Sequence, residues 1–228
     1  VLEYGTVDLE SNIRDVQKRI VLACERSHRS PGEITLVSIT KGFETPVIKA
    51  AFDLGIKNFG ENRVQEAEGK IEQLTGLRQS ITWHMVGHLQ SNKARLAVDL
   101  FDIIHGVDSV KLATILNGLA RKQLPVLLEV NISGESTKEG FSVGEISAAV
   151  KEIKQLANLK LLGLMTVAPW VSEPEEVRPV FRKLRELRDA LGLEHLSMGM
   201  TDDFEVAIEE GATMIRIGRA IFGDRRQK

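Results

Sequence analysis

From residue 34 onward the chain alternates short, nearly continuous apolar runs with longer amphipathic stretches. The apolar runs fall at 34–40 (ITLVSIT), 57–62 (KNFGEN), 81–86 (ITWHMV), 103–107, 125–132 (PVLLEVNI), 159–167 (LKLLGLMTV), 196–200 and 213–218 (TMIRIG). Each has the length and β-branched content of a strand buried on both faces. Between and after them, helical periodicity runs over 45–54, 64–74, 92–100, 110–122, 143–156, 175–191, 202–210 and a short segment at 219–222. The helix at 175–191 shows the spacing well, with Val177, Phe181, Leu184, Leu187 and Leu191 on one stripe. Gly55, Gly192 and Gly211 stand where helices should stop. Eight strand–helix units in succession predict a (β/α)8 TIM barrel, with a doubly wound parallel sheet as the alternative. An extra helix over 8–27 precedes them. Its stripe of Leu9, Ile13, Val16, Ile20 and Cys24 is expected to cover the barrel's bottom or side, which makes Cys24 a buried small hydrophobe.

Composition narrows the class. The chain has 228 residues, 43% of them hydrophobic, enough for one core and for one domain over 1–228. Lys plus Arg is 30 against 32 for Asp plus Glu, without the basic excess of a nucleic-acid or membrane-surface protein. No apolar run reaches the ~18 residues of a membrane span, and residues 1–10 lack the pattern of a signal peptide. One Cys allows no internal disulfide, so a cytoplasmic setting is expected.

In a barrel, chemistry gathers at the C-terminal ends of the strands. The first strand ends at Lys41 and the second at 60–63 (GENR). The third carries His84 and leads into 87–93 (GHLQSNK). The seventh is 197–200 (SMGM), and the eighth holds Arg216 before Gly218 and Arg219. The loops after the last two strands are where this fold usually binds phosphate, and glycine there lets the backbone approach an anion. Tight turns alone account for those glycines equally well. A lysine at the end of a buried strand is a candidate Schiff-base amine, because desolvation frees part of it as neutral amine. An amine, an anion cradle and a buried arginine together outline a site for pyridoxal 5′-phosphate (PLP), whose ring nitrogen pairs with Asp or Arg.

These residues also carry a family resemblance. VSITKG (37–42), FGENRVQE (59–66), WHMVGHLQSNK (83–93), GLMTVAP (163–169) and LSMGMTDDFEVAIEEGATMIRIGRAIFG (196–223) closely resemble the pyridoxal-phosphate homeostasis proteins, which share the barrel of the alanine racemase N-terminal domain. The resemblance implies that Lys41 forms the internal aldimine and Arg216 meets the pyridine nitrogen. It implies that Ser197, Gly218 and Arg219 hold the phosphate, while Asn62, Met198 and Gly199 line the pocket. His84 is a further candidate, read as either a pocket or a core histidine. Thr201 and Arg219 depart from the family pattern, where Ser and a small hydroxyl residue are usual.

Arginine on the ring nitrogen keeps the ring a weaker electron sink, since guanidinium does not give up its proton. Alanine racemases compensate with a second base, a Tyr from a further domain. Here the one tyrosine is Tyr4. The expected function is therefore PLP (vitamin B6) homeostasis, affecting amino-acid and keto-acid pools, without robust catalysis. The expected protein is a monomer that meets apo PLP-dependent enzymes transiently. The alternatives are a racemase-like PLP enzyme using Lys41 with His84 as its acid, and a phosphosugar-type barrel using the same cradle without cofactor.

Other candidates receive plainer readings. His84 and His88 lie about 13 Å apart along a strand and cannot share a metal, so no metal site is expected. His88 and the other three histidines are read as surface residues. Ser91 is read as a helix cap, Trp83 and Trp170 as packing residues, and Arg178, Arg182 and Arg185 as a salt-bridged face. Lys138 is either a plain loop lysine or a participant in cofactor loading.

Overall fold

The computed structural model describes residues 8–135 and 139–224. Tyr4 and Lys138 lie outside them. Eight parallel strands close into a ring. They are β1 (Thr35–Ile39), β2 (Asn58–Glu61), β3 (Thr82–Met85), β4 (Ile103–Val107), β5 (Leu124–Asn131), β7 (Leu159–Met165), β8 (His195–Ser197) and β9 (Met214–Ile217). The two-residue β6 (Phe141–Ser142) only extends the edge of β5. Each strand pairs with the next, and β1 pairs with β9 to seal the ring, with Val37 opposite Arg216. This is the TIM barrel expected from the alternation, not the open sheet.

The helices are α1 (Leu9–Arg26), α2 (Thr45–Asp53), α3 (Val64–Gln73), α4 (Ala94–Leu100), α5 (Val110–Leu119), α6 (Ile146–Ile153), α7 (Arg178–Ala190), α8 (Phe204–Glu209) and α9 (Arg219–Phe222). A continuous apolar shell between strands and helices, with Phe59, Trp83, Leu116, Phe181 and Phe204 among its fully buried members, supplies most of the core. Side chains alternate across a strand, so the other face fills the barrel interior. There, Val37, Ile39 and Val86 form one apolar group and Leu127, Met165 and Met214 another.

Helix α1 buries Ile13, Val16, Ile20, Ala23 and Cys24, as its stripe predicts. It packs on the barrel's flank against α8 and α9. Arg19 makes a two-pronged ion pair with Glu205 at 3.2 and 2.9 Å, and Arg26 bonds Glu209 at 2.6 Å. Cys24 is fully buried, and burial raises its thiol pKa.

Three sequence readings need correcting. Trp170 is 88% exposed on the loop after β7 and packs on nothing in the core. Ser91 caps no helix; it opens a single 3-10 turn, Ser91–Lys93, that feeds α4. The arginines of α7 are salt-bridged, but their main partners come from the neighbouring unit. Arg178, Arg182 and Arg185 converge on Glu210 at 3.2, 2.9 and 3.0 Å.

Candidate functional site

The β1–β9 seam brings the two ends of the series together. Lys41 follows β1 by two residues, and Gly218–Arg219 follow β9 directly. A cavity of about 130 Å³ lies between them, lined by Ile39, Lys41, Phe43, Gly218, Arg219, Gly223 and Asp224. The rings of Phe43 and Phe222 meet at 5.2 Å beside it. Lys41 is half-buried. Thr201, which reaches the same turn from the end of β8, accepts a hydrogen bond from the Ala220 amide at 3.4 Å. Its hydroxyl thus stands at the start of α9, a placement that the 201 departure from the family pattern only hinted at.

Two glycines of this seam differ in what demands them. Gly199 has φ +92°, and a Cβ there would sit 2.5 Å from Ala207 Cβ and 2.9 Å from Phe204 Cα. The fold itself requires glycine at 199. Gly218 has φ −114°, and a Cβ there would meet only Ile39 at ordinary contact, 3.5 Å. Nothing in the protein's own packing demands glycine at 218. Its bare backbone fits a cradle for an anion held against main-chain amides.

Arg219 contributes backbone at this turn. Its guanidinium turns away to pair with Asp202 on the surface. Asn62 follows β2 and is half-buried. Met198 does not reach the cavity; its side chain is fully buried in the outer apolar shell.

Ser197 is the clearest difference from expectation. Its hydroxyl lies inside the barrel, fully buried, in a chain of hydrogen bonds that crosses from β9 to β2. Arg216 Nη1 donates to Ser197 Oγ at 2.7 Å. Ser197 Oγ is 2.8 Å from His105 Nδ1, His105 Nε2 is 2.9 Å from His84 Nδ1, and His84 Nε2 is 3.0 Å from Asn58 Oδ1. The ends fix the direction. Guanidinium only donates and an amide oxygen only accepts. Each hydroxyl or imidazole between them therefore accepts from the Arg216 side and donates onward. With burial keeping both rings neutral, each histidine carries its proton on Nε2.

The electrostatics agree. Burial is the main cause that lowers the His84 pKa, to about 4, against a small opposing pull from Asp102. Burial, with the neighbouring His84 and the Arg216 cation, holds His105 well below the usual imidazole value. His105 is thus a core histidine, not a surface one. His84, with both ring nitrogens committed, is a member of this chain and does not line the cavity. Ser197 Oγ is likewise committed to Arg216 and His105.

Arg216 is further fixed by Nη2, which donates to the Thr166 carbonyl at 2.9 Å. Burial lowers its pKa, and the carboxylates of Glu129 and Asp203 oppose that effect. Asp203 is itself held by the Met200 amide at 2.6 Å.

Sequence reasoning also missed a buried charged group on the outer face of the Lys41 segment. Lys70 of α3 donates to the Thr40 carbonyl, Glu61 Oε1 and Glu66 Oε1, each at 2.7 Å. A lysine on a helix otherwise reads as solvated, and only the close FGENRVQE match marked its surroundings. Elsewhere on the mouth, His88 lies 3.0 Å from Asp108, with Glu139 alongside. These three present the one group of potential metal donors found among the described residues, and His84 is not part of it.

The fold and seam define a class, and comparison with known proteins agrees. Residues 41–226 match the family model described as alanine racemase, N-terminal domain. A pyridoxal phosphate homeostasis protein of Aquifex aeolicus is 44% identical over 220 residues, covering 92% of this chain and 96% of that protein. PipY of Synechococcus elongatus, solved with PLP bound, superposes with a TM-score of 0.80 at 36% identity, over 91% of this chain and all of its own. An alanine racemase from Corynebacterium glutamicum shares the fold, with a TM-score of 0.72 at 17% identity, over 95% of this chain and 60% of its own. The chain is a barrel of the alanine racemase N-terminal type. Within that class, it belongs to the pyridoxal phosphate homeostasis protein family.

Proposed function

We propose that this chain binds PLP at the β1–β9 seam and serves PLP homeostasis, with no robust catalysis of its own. The observation that carries the reading is the cavity that Lys41 shares with the Gly218–Arg219 turn at the barrel mouth. Lys41 supplies the amine that holds the cofactor's carbonyl carbon. The main chain at Gly218–Arg219, with the Thr201 hydroxyl beside it, takes the phosphate, and Asn62 and Gly199 belong to the surrounding wall. Arg216 donates to the ring nitrogen. When bound, PLP supplies an electron sink for carbanion chemistry, and a donor-only arginine leaves that sink weak.

The absence of robust catalysis is supported by the acid–base inventory. His84, the acid a racemase reading would use, is fully buried, with both nitrogens engaged and a pKa lowered to about 4. The sequence's single tyrosine, Tyr4, precedes the described residues. No helix among the described residues is long and apolar enough to cross a membrane. We read the protein as a cytoplasmic monomer of one domain that meets apo PLP-dependent enzymes transiently.

The test is direct. Purified protein mixed with PLP should turn yellow, and borohydride should fix the cofactor to Lys41. Lys41→Ala should abolish both. A wild-type protein that stays colourless, or label that maps to another lysine, refutes the reading. A phosphosugar-type barrel without cofactor would give the first of those results.

A further inference from the structure

Lys41 is flanked by two residues held from behind by three linked side chains. On one side the Thr40 carbonyl accepts from Lys70 Nζ at 2.7 Å, and the Thr40 hydroxyl donates to Glu61 Oε1 at 2.5 Å. On the other side the Gly42 amide donates to Glu66 Oε1 at 2.5 Å. Lys70 joins these anchors, because it also donates to both Glu61 and Glu66. Glu61 is fully buried, and its second oxygen has no hydrogen-bond partner among the described residues. The Lys70 side chain is 9% exposed.

A charged cluster this deep is a poor way to stabilise a fold. Removing the ions from water offsets much of their attraction, and apolar residues of the same size often do as well. What it achieves here is geometric. It fixes the backbone before and after one residue, and that residue is the lysine at the cavity. Lys41 itself lies in the turn that the Phe43 amide closes on the Thr40 carbonyl at 3.0 Å, and it lines the cavity there. None of the side chains of Thr40, Glu61, Glu66 and Lys70 lines the cavity.

We propose that Lys70, acting through Glu61, Glu66, Thr40 and Gly42, is a positioning residue. It holds the Lys41 backbone so that the amine meets a carbonyl carbon already placed by the phosphate cradle. This rests on the reading of Lys41 as the PLP attachment lysine. Prealignment of reacting groups is sensitive to shifts of about 1 Å, which cost up to a hundredfold in rate. The device therefore acts on bond formation to Lys41 and leaves phosphate and ring binding alone.

The experiment separates those two steps. Cofactor-free wild type, the Glu61→Gln/Lys70→Met double variant and Glu66→Ala are compared after circular dichroism confirms folding. The double variant leaves no lone buried charge, and Glu66→Ala removes the Gly42 anchor at the rim together with one of the three acceptors of Lys70. One measurement is the rate at which PLP produces the visible band. The other is affinity for pyridoxine 5′-phosphate, which has the ring and phosphate but no reactive carbonyl. The rate should fall about tenfold to a hundredfold in the double variant and less in Glu66→Ala. Affinity for the unreactive ligand should stay within about twofold of wild type. Lys70→Arg, which keeps the donors, should recover part of the rate.

Unchanged rates in both variants overturn the proposal. So does an equal loss for both ligands, the signature of a generally loosened structure. If the double variant does not fold, Glu66→Ala decides alone by the same criteria. A wild type that binds neither ligand is a different pattern, and it overturns the PLP reading and the positioning role together.

Discussion

Acid should loosen the barrel from inside through His84. In the folded chain its pKa is lowered from 6.5 to about 4, whereas an unfolded histidine titrates near its ordinary value. Between those values the unfolded state binds more protons. The stability that comes from keeping His84 neutral is complete above pH 6.5 and is lost as pH falls toward 4. From pH 7.5 to pH 5 the loss works out at about 2 kcal/mol, and it approaches about 3 kcal/mol below pH 4. His105, also lowered, adds in the same direction. Burial raises the pKa of Glu61, Glu129 and Asp203, and these groups oppose it. A difference against a His84→Gln variant cancels that background, since glutamine can still accept from His105 and donate to Asn58. Urea unfolding of both cofactor-free proteins at pH 7.5 and pH 5 gives the four free energies. Wild type should lose about 2 kcal/mol more than the variant. Equal pH slopes would refute the buried neutral chain, and so would a ring-nitrogen NMR spectrum placing the His84 proton on Nδ1.

Other expectations follow from the seam. Gly199→Ala should cost roughly 2–4 kcal/mol through its φ and its clash with α8, whereas Gly218→Ala should unfold at the wild-type urea concentration yet bind PLP at least about tenfold more weakly. If the two behave alike, the distinction between a fold glycine and a cradle glycine is wrong. Ser197→Ala strips Arg216 and His105 of a partner and should destabilise by about 1–3 kcal/mol. Affinity of that variant for inorganic phosphate, measured by calorimetry, should be unchanged if its hydroxyl is committed inside the barrel. Arg219→Ser breaks only an exposed ion pair and should move the melting temperature by no more than a surface substitution does.

The strands were legible because each is covered on both faces, so their residues are apolar nearly throughout. That Lys41 and Gly218 would meet at one cavity was legible because a strand's end marks the barrel rim wherever the strand lies. Orientation was harder. Strand β8 has only three residues, too few for alternation to reveal that the Ser197 side chain points into the interior and Met198 into the shell. His105 was assigned to the surface because its partners, Ser197 and His84, stand 92 and 21 residues away in sequence. Lys70 was overlooked for the converse reason. Its spacing to Glu66 is the i,i+4 pattern of an ordinary solvated helix pair, and only the tertiary approach of Thr40 and Glu61 makes it buried. Trp170 was expected to pack because large aromatics usually do, and nothing local in the sequence shows that its loop leaves it in solvent.

The strap of α1 across α8 and α9 bears on the order in which the molecule is assembled. Asn12 Nδ2 donates to the carbonyl of Ile221, across 209 residues of chain, at 3.0 Å. The cradle turn opens the same helix, α9. The contacts that fasten α9 are therefore among the most distant in sequence, and such contacts form late because their loop entropy must be met first. During synthesis, seven strands can pair while α1 waits for its partner, and the binding turn comes into being with the closing of the ring. A ligand that requires that turn recognises only the finished barrel, and by mass action it draws late intermediates toward completion.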